Sequence, residues 1–75
     1  MKLIKFTHKV NYIFTLFFDD KKTQEVDLQE LIGKHVLVNE LSTANLNTEW
    51  GCLEFNAGVV DIEPSTLYHY TFSDK

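Results

Sequence analysis

Arginine is absent from this 75-residue chain, whose seven basic residues are all lysines set against eleven acids, for a net charge of −4. Arginine is the preferred fork for phosphate oxygens and guanine edges, so its absence argues against nucleic-acid recognition. Cysteine occurs once, at Cys52, and a disulfide within the chain is excluded. No Cys-x-x-Cys pair exists, and no two of His8, His35 and His69 stand four residues apart, so zinc-ligand spacing is missing. Apolar runs last only a few residues, far short of the ~20 that a membrane-spanning helix needs. The first residues alternate charged and apolar groups with no secretory h-region, so a cytoplasmic location is expected. Repeats, low-complexity tracts and interdomain linkers are also lacking, and the length bounds the chain to one domain, residues 1–75.

Aromatic residues are what the chain has in quantity: six Phe, three Tyr and one Trp. Each can remove roughly 150–250 Å² from water, which is how so short a chain builds a core without disulfides. A core of this size also leaves room for support from self-association as a homo-oligomer. The central stretch is YIFTLFFDDKKTQEVDL, residues 12–28. Tyr12, Phe14, Leu16 and Phe18 recur at period two and share one strand face. Four charges, Asp19 to Lys22, interrupt the run before Val26 and Leu28 resume it, the pattern of a β-hairpin. Residues 1–10 alternate Leu3, Lys5, Thr7 and Lys9 with Ile4, Phe6, His8 and Val10. They read as a strand beside the hairpin, with Lys2, Lys5 and Lys9 as edge charges that discourage intermolecular pairing.

Asp27-Leu28-Gln29-Glu30 has the form of a capping box, opening a short helix through Leu31 and Ile32 with Gly33 as its stop. Val36, Leu37 and Val38 are expected to return the chain to the core. Residues 39–47 carry a diluted helical pattern in Leu41, Ala44 and Leu46, with Asn39 or Ser42 as cap. Strand character resumes from Glu49 to Phe55 and turns at Asn56-Ala57-Gly58, where glycine accepts a left-handed conformation without steric cost. Val59 to Ile62 pairs back as a second hairpin, and Pro64 opens a terminal helical turn carrying Leu67, Tyr68, Tyr70 and Phe72. The expected fold is α+β: an antiparallel sheet of about five strands, two hairpins plus the N-terminal strand, with two or three short helices. Phe14, Leu16, Val26, Leu31, Leu53, Phe55 and Leu67 are the expected core.

Residues 53–68, LEFNAGVVDIEPSTLY, carry a resemblance. A strand ending in an aromatic at Phe55, a turn at Gly58, Asp61-Ile62, Pro64 and Leu67-Tyr68 resembles the ending of the bacterial family called domain of unknown function 2442. The segment Asp27 to Gly33 resembles the family's earlier Asp-Leu segment. The chain departs from the pattern at Phe55, where the family commonly has Trp, and by one extra residue at Val59-Val60. The resemblance implies an α+β domain, with no catalytic residue to carry over. Some relatives bear a helix-turn-helix segment or sit beside a small toxin, which implies an antitoxin-like role. With Leu-Tyr so close to Lys75, no helix-turn-helix is expected here.

Charge is split along the chain. Residues 1–38 hold six lysines against five acids, whereas residues 39–75 hold Lys75 against Glu40, Glu49, Glu54, Asp61, Glu63 and Asp74, a balance of −5. Solvation of a small domain accounts for such charge in the plain case, and recognition of a basic partner is its functional reading. Cys52 with His35 or His69 as base would make a nucleophile, but a lone cysteine in an apolar strand is ordinarily a small buried hydrophobe. Asp61 and Glu63 would suit acid–base work, yet a turn acid followed by an acid at a helix N-terminus is the simpler account. The expectation is therefore a non-enzyme without metal or cofactor: an acidic protein-interaction module, antitoxin-like or accessory, that binds a basic protein. Trp50, Glu54, Asp61, Glu63, Tyr68 and Tyr70 form its expected contact surface, since aromatic residues with a polar tip anchor interfaces. The alternative is a small nucleic-acid-associated transcriptional regulator acting through Lys2, Lys5 and Lys9.

Overall fold

The computed structural model describes residues 1–72 and divides the strands between two sheets. Strands β1 (Leu3–Val10), β2 (Ile13–Phe18) and β3 (Thr23–Asp27) form one antiparallel sheet with β2 in the centre. Strands β4 (Asn45–Asn47), β5 (Cys52–Phe55) and β6 (Val60–Ile62) form the second, with β5 in the centre. Helix α1 (Gln29–Ile32) and a 3₁₀ helix (Val38–Thr43) connect the sheets, and α2 (Pro64–Thr71) follows β6. The α+β class holds, but the single sheet of about five strands is replaced by two sheets of three.

The period-two stretch forms the floor of the core. Tyr12, Phe14, Leu16 and Phe18 are all buried on one face of the first hairpin. Its polar link turns tightly because Lys21 takes φ 72° and Asp20 Oδ1 accepts the Lys22 N–H at 3.0 Å. The first strand departs from simple alternation. Register shifts lie between Leu3 and Lys5 and between His8 and Val10, so Leu3 faces the core while Ile4 and Val10 are exposed. A bulge inserts an extra residue and reverses the faces beyond it, which strict period two cannot represent.

The expected capping box at Asp27 does not form: Leu28 holds the cap position of α1 without a side-chain cap bond, and Asp27, one residue earlier, accepts the Gln29 N–H on its Oδ1 at 2.9 Å. Gly33 is right-handed at φ −59°, so it continues the turn and does not end it by a left-handed residue. Val36 reaches the core, but Leu37 and Val38 lie exposed at the start of the 3₁₀ helix. There Glu40 Oε1 accepts the Leu37 N–H at 2.9 Å.

Residues 39–47 are where expectation and structure diverge most. The helical pattern is a 3₁₀ helix that ends at Thr43, and Asn45–Asn47 is a strand. The strand expected from Glu49 begins only at Cys52, after a turn through Gly51. The two sheets face each other across the core, with Phe14 edge-on to Phe55 at 6.0 Å between ring centres. Phe14, Leu16, Leu53, Phe55 and Leu67 are fully buried, whereas Val26 and Leu31 are only partly so. The Tyr12 hydroxyl, inside the core, donates to the Val36 carbonyl at 2.6 Å and pins the connection after α1.

Candidate functional site

Register in the second sheet decides which side chains meet. Leu46, Leu53 and Ile62 align across the three strands, and with Phe55 and Val60 they face the core. Alternation then turns Asn45, Glu54 and Asp61, a second aligned row, to the opposite face together with Asn47 and Cys52. Among the described residues no further strand pairs with this sheet, and Glu63 continues the outer row just beyond β6.

Asn47 organises one end of the face. Its Oδ1 accepts the backbone N–H groups of Glu49 (3.0 Å) and Trp50 (3.2 Å), and its Nδ2 donates to Glu54 Oε2 at 3.0 Å. This Asx turn projects the Trp50 ring outward, 64% exposed. A large aromatic that folding leaves in water, beside a row of carboxylates, is a ready anchor for a partner. Trp50, Asn47, Cys52, Asp61, Glu63 and Pro64 line a shallow cleft of about 340 Å³. A second cleft of about 400 Å³ lies beyond Asp61 and Glu63, where β6 faces Leu31, Ile32 and His35. Among the described residues neither cleft has a lysine in its lining.

Cys52 sits half-buried inside this acidic surface. Burial, and then the carboxylates of Asp61, Glu54 and Glu63, push its thiol above the ordinary value. That environment favours the protonated thiol over the thiolate a nucleophile would use. Among the described residues no three His, Cys, Asp or Glu side chains converge as metal ligands.

Of the six expected contact residues, Trp50, Glu54, Asp61 and Glu63 come together around the second sheet. Tyr68 and Tyr70 serve another place. The Tyr68 hydroxyl donates to Asp20 Oδ2 at 2.7 Å, and that of Tyr70 donates to the Asp27 carbonyl at 3.1 Å, so they fasten α2 to the β2–β3 turn and to the end of β3. Tyr68 also packs edge-on to Phe18 at 5.0 Å, with Lys22 Nζ 5.8 Å from its ring centre. Its hydrogen bond is the main reason the Asp20 carboxyl is held below its ordinary value. Sequence reasoning missed Asn45 and Asn47. The available signal was Asn47 followed closely by Gly51, a turn signature mistaken for the tail of a helix.

Fold and surface together define a small α+β domain of two facing sheets, one of them with an open acidic outer face. The model of the family described as protein of unknown function (DUF2442) matches residues 3–73, and the chain belongs to that family. No curated protein and no solved structure matches the chain.

Proposed function

We propose that this chain is a non-catalytic protein-interaction module that receives a basic partner on the outer face of its second sheet. The observation that carries the reading is the exposed Trp50 ring set beside Glu54, Asp61 and Glu63. An aromatic anchor would supply buried area, and the carboxylates would steer a positively charged surface and fix its register. An accessory or antitoxin-like regulator is the form of this role that the family resemblance suggests. The lysines that a nucleic-acid reading needs give that alternative little support, since Lys2 Nζ already donates to the Glu49 carbonyl at 3.0 Å.

The test is association of the captured partner with the parent and with a Glu54→Gln, Asp61→Asn, Glu63→Gln variant. Loss of the charges should slow association and flatten its salt dependence while leaving folding stability nearly unchanged. Trp50→Ala should act instead through faster dissociation. Equal binding by all three proteins would show that the partner uses another surface.

A further inference from the structure

β6 is an edge strand, and its free edge opens into the 400 Å³ cleft whose far wall is Leu31, Ile32 and His35. Among the described residues, Val60, Asp61 and Ile62 make no backbone hydrogen bond outside their pairing with β5. An edge strand leaves alternate N–H and C=O groups without a ladder partner, and these are a template for another strand. Three residues make a short edge, which limits indiscriminate pairing. The cleft adds what a bare edge lacks, a wall against which alternate side chains can be sorted.

We infer that the cleft beside β6 takes an extended segment of a basic partner protein as a fourth strand of the second sheet. This inference rests on the partner reading above and specifies how the partner docks. Register dictates the segment's pattern. Residues opposite Val60 and Ile62 turn toward the core side, against Leu31 and Ile32, and are apolar. The residue opposite Asp61 lies on the acidic outer face, and so does the one that reaches Glu63; both are lysine or arginine. A second copy of this chain fits poorly. Antiparallel pairing of two β6 edges centred on Asp61 opposes it to its own counterpart, and a shift of two residues opposes it to Glu63.

A blocked synthetic pentapeptide of alternating valine and lysine, titrated at low salt into ¹⁵N-labelled protein, tests the assignment. The expected result is shifted resonances and slowed amide exchange at Val60, Asp61 and Ile62. A backbone N-methylated peptide of the same side chains should lose the interaction, because it lacks the donors of a strand. His35→Trp, which fills the cleft, should weaken binding about tenfold, and Asp61→Asn, at an exposed position, about threefold. The second variant keeps the test open if the first does not fold. Shifts confined to Trp50, Cys52 and Glu54, or equal binding of the N-methylated peptide, would overturn strand addition and leave the acidic-face reading standing. No binding at all would overturn strand addition, while the partner reading is judged separately by the charge variants of the captured complex.

Discussion

Gly51 is a buried turn residue where the second sheet closes against the first, and Gly51→Ala should be far more damaging than its place in a turn suggests. Its carbonyl accepts the Leu3 N–H at 3.1 Å, and its N–H donates to the Asn47 carbonyl at 2.7 Å. The backbone is left-handed at φ +73°, and an added Cβ would collide with Lys2 Cβ and lie 2.8 Å from Lys2 Cα. The left-handed conformation costs an alanine about 1–2 kcal/mol. Forcing the Lys2 backbone aside adds about 1–3 kcal/mol of overpacking strain. The sum, about 2–5 kcal/mol, is a large part of the roughly 5–10 kcal/mol expected for a domain of this length. Gly58 is the internal comparison. It is also left-handed, at φ +90°, but the nearest atom to its added Cβ is Glu54 Oε1 at 3.9 Å. Gly58→Ala therefore carries the conformational cost alone, and the unfolded-chain effect of replacing glycine is common to both variants. Urea unfolding followed by far-ultraviolet circular dichroism, with melting temperatures alongside, measures the difference. The melting temperature of Gly51→Ala should fall about 4–24 °C below that of Gly58→Ala, the 1–3 kcal/mol of strain at about 4–8 °C per kcal/mol. Equal stability of the two would mean that the Lys2–Gly51 contact does not hold the sheets together.

Leu16→Ala, in the central strand and fully buried, should cost about 2–5 kcal/mol in the same assay. Tyr12→Phe should cost about 1–3 kcal/mol by leaving the Val36 carbonyl without its donor, a loss that urea unfolding reads directly. Asp20 is held below its ordinary value of 3.8, chiefly by the Tyr68 hydroxyl, so its stabilising contribution is complete above that pH and disappears as pH falls through the lower folded value. Tyr68→Phe should therefore flatten the acid limb of the stability profile, and an unchanged acid limb would assign that limb to other carboxylates. Cys52 should alkylate with iodoacetamide more slowly at pH 8 than a free thiol, and Asp61→Asn should speed it by removing a neighbouring negative charge.

Much of the first sheet was legible because Tyr12 to Phe18 combine strict alternation with large side chains, and one phase satisfies all of them. Pro64 as the first residue of α2 and Gly58 in a left-handed turn were legible for a similar reason, each residue type having few conformations to choose from. The division into two sheets was not. It depends on β4, whose sequence Asn45-Leu46-Asn47 has poor strand propensity and becomes a strand only because Leu46 packs opposite Leu53. Simple alternation groups Leu3 with Lys5, Thr7 and Lys9, and a bulge changes the phase of β1 so that Leu3 alone of these is buried. For the candidate site, acids two apart at Asp61 and Glu63 and a lone tryptophan were visible in the sequence. The separate use of Tyr68 and Tyr70 was hidden, since it rests on hydrogen bonds to Asp20 and Asp27 more than forty residues away.

The partner-binding role is tested most directly by one paired recovery from the cell of origin at low salt. Tagged parent protein and the Glu54→Gln, Asp61→Asn, Glu63→Gln variant are used side by side, with protein and nucleic acid both quantified in the eluates. A basic protein should be recovered with the parent, released as salt rises, and much reduced with the variant. Recovery of nucleic acid without a protein partner, unaffected by the three acidic positions and abolished by changing Lys2, Lys5 and Lys9, would contradict it.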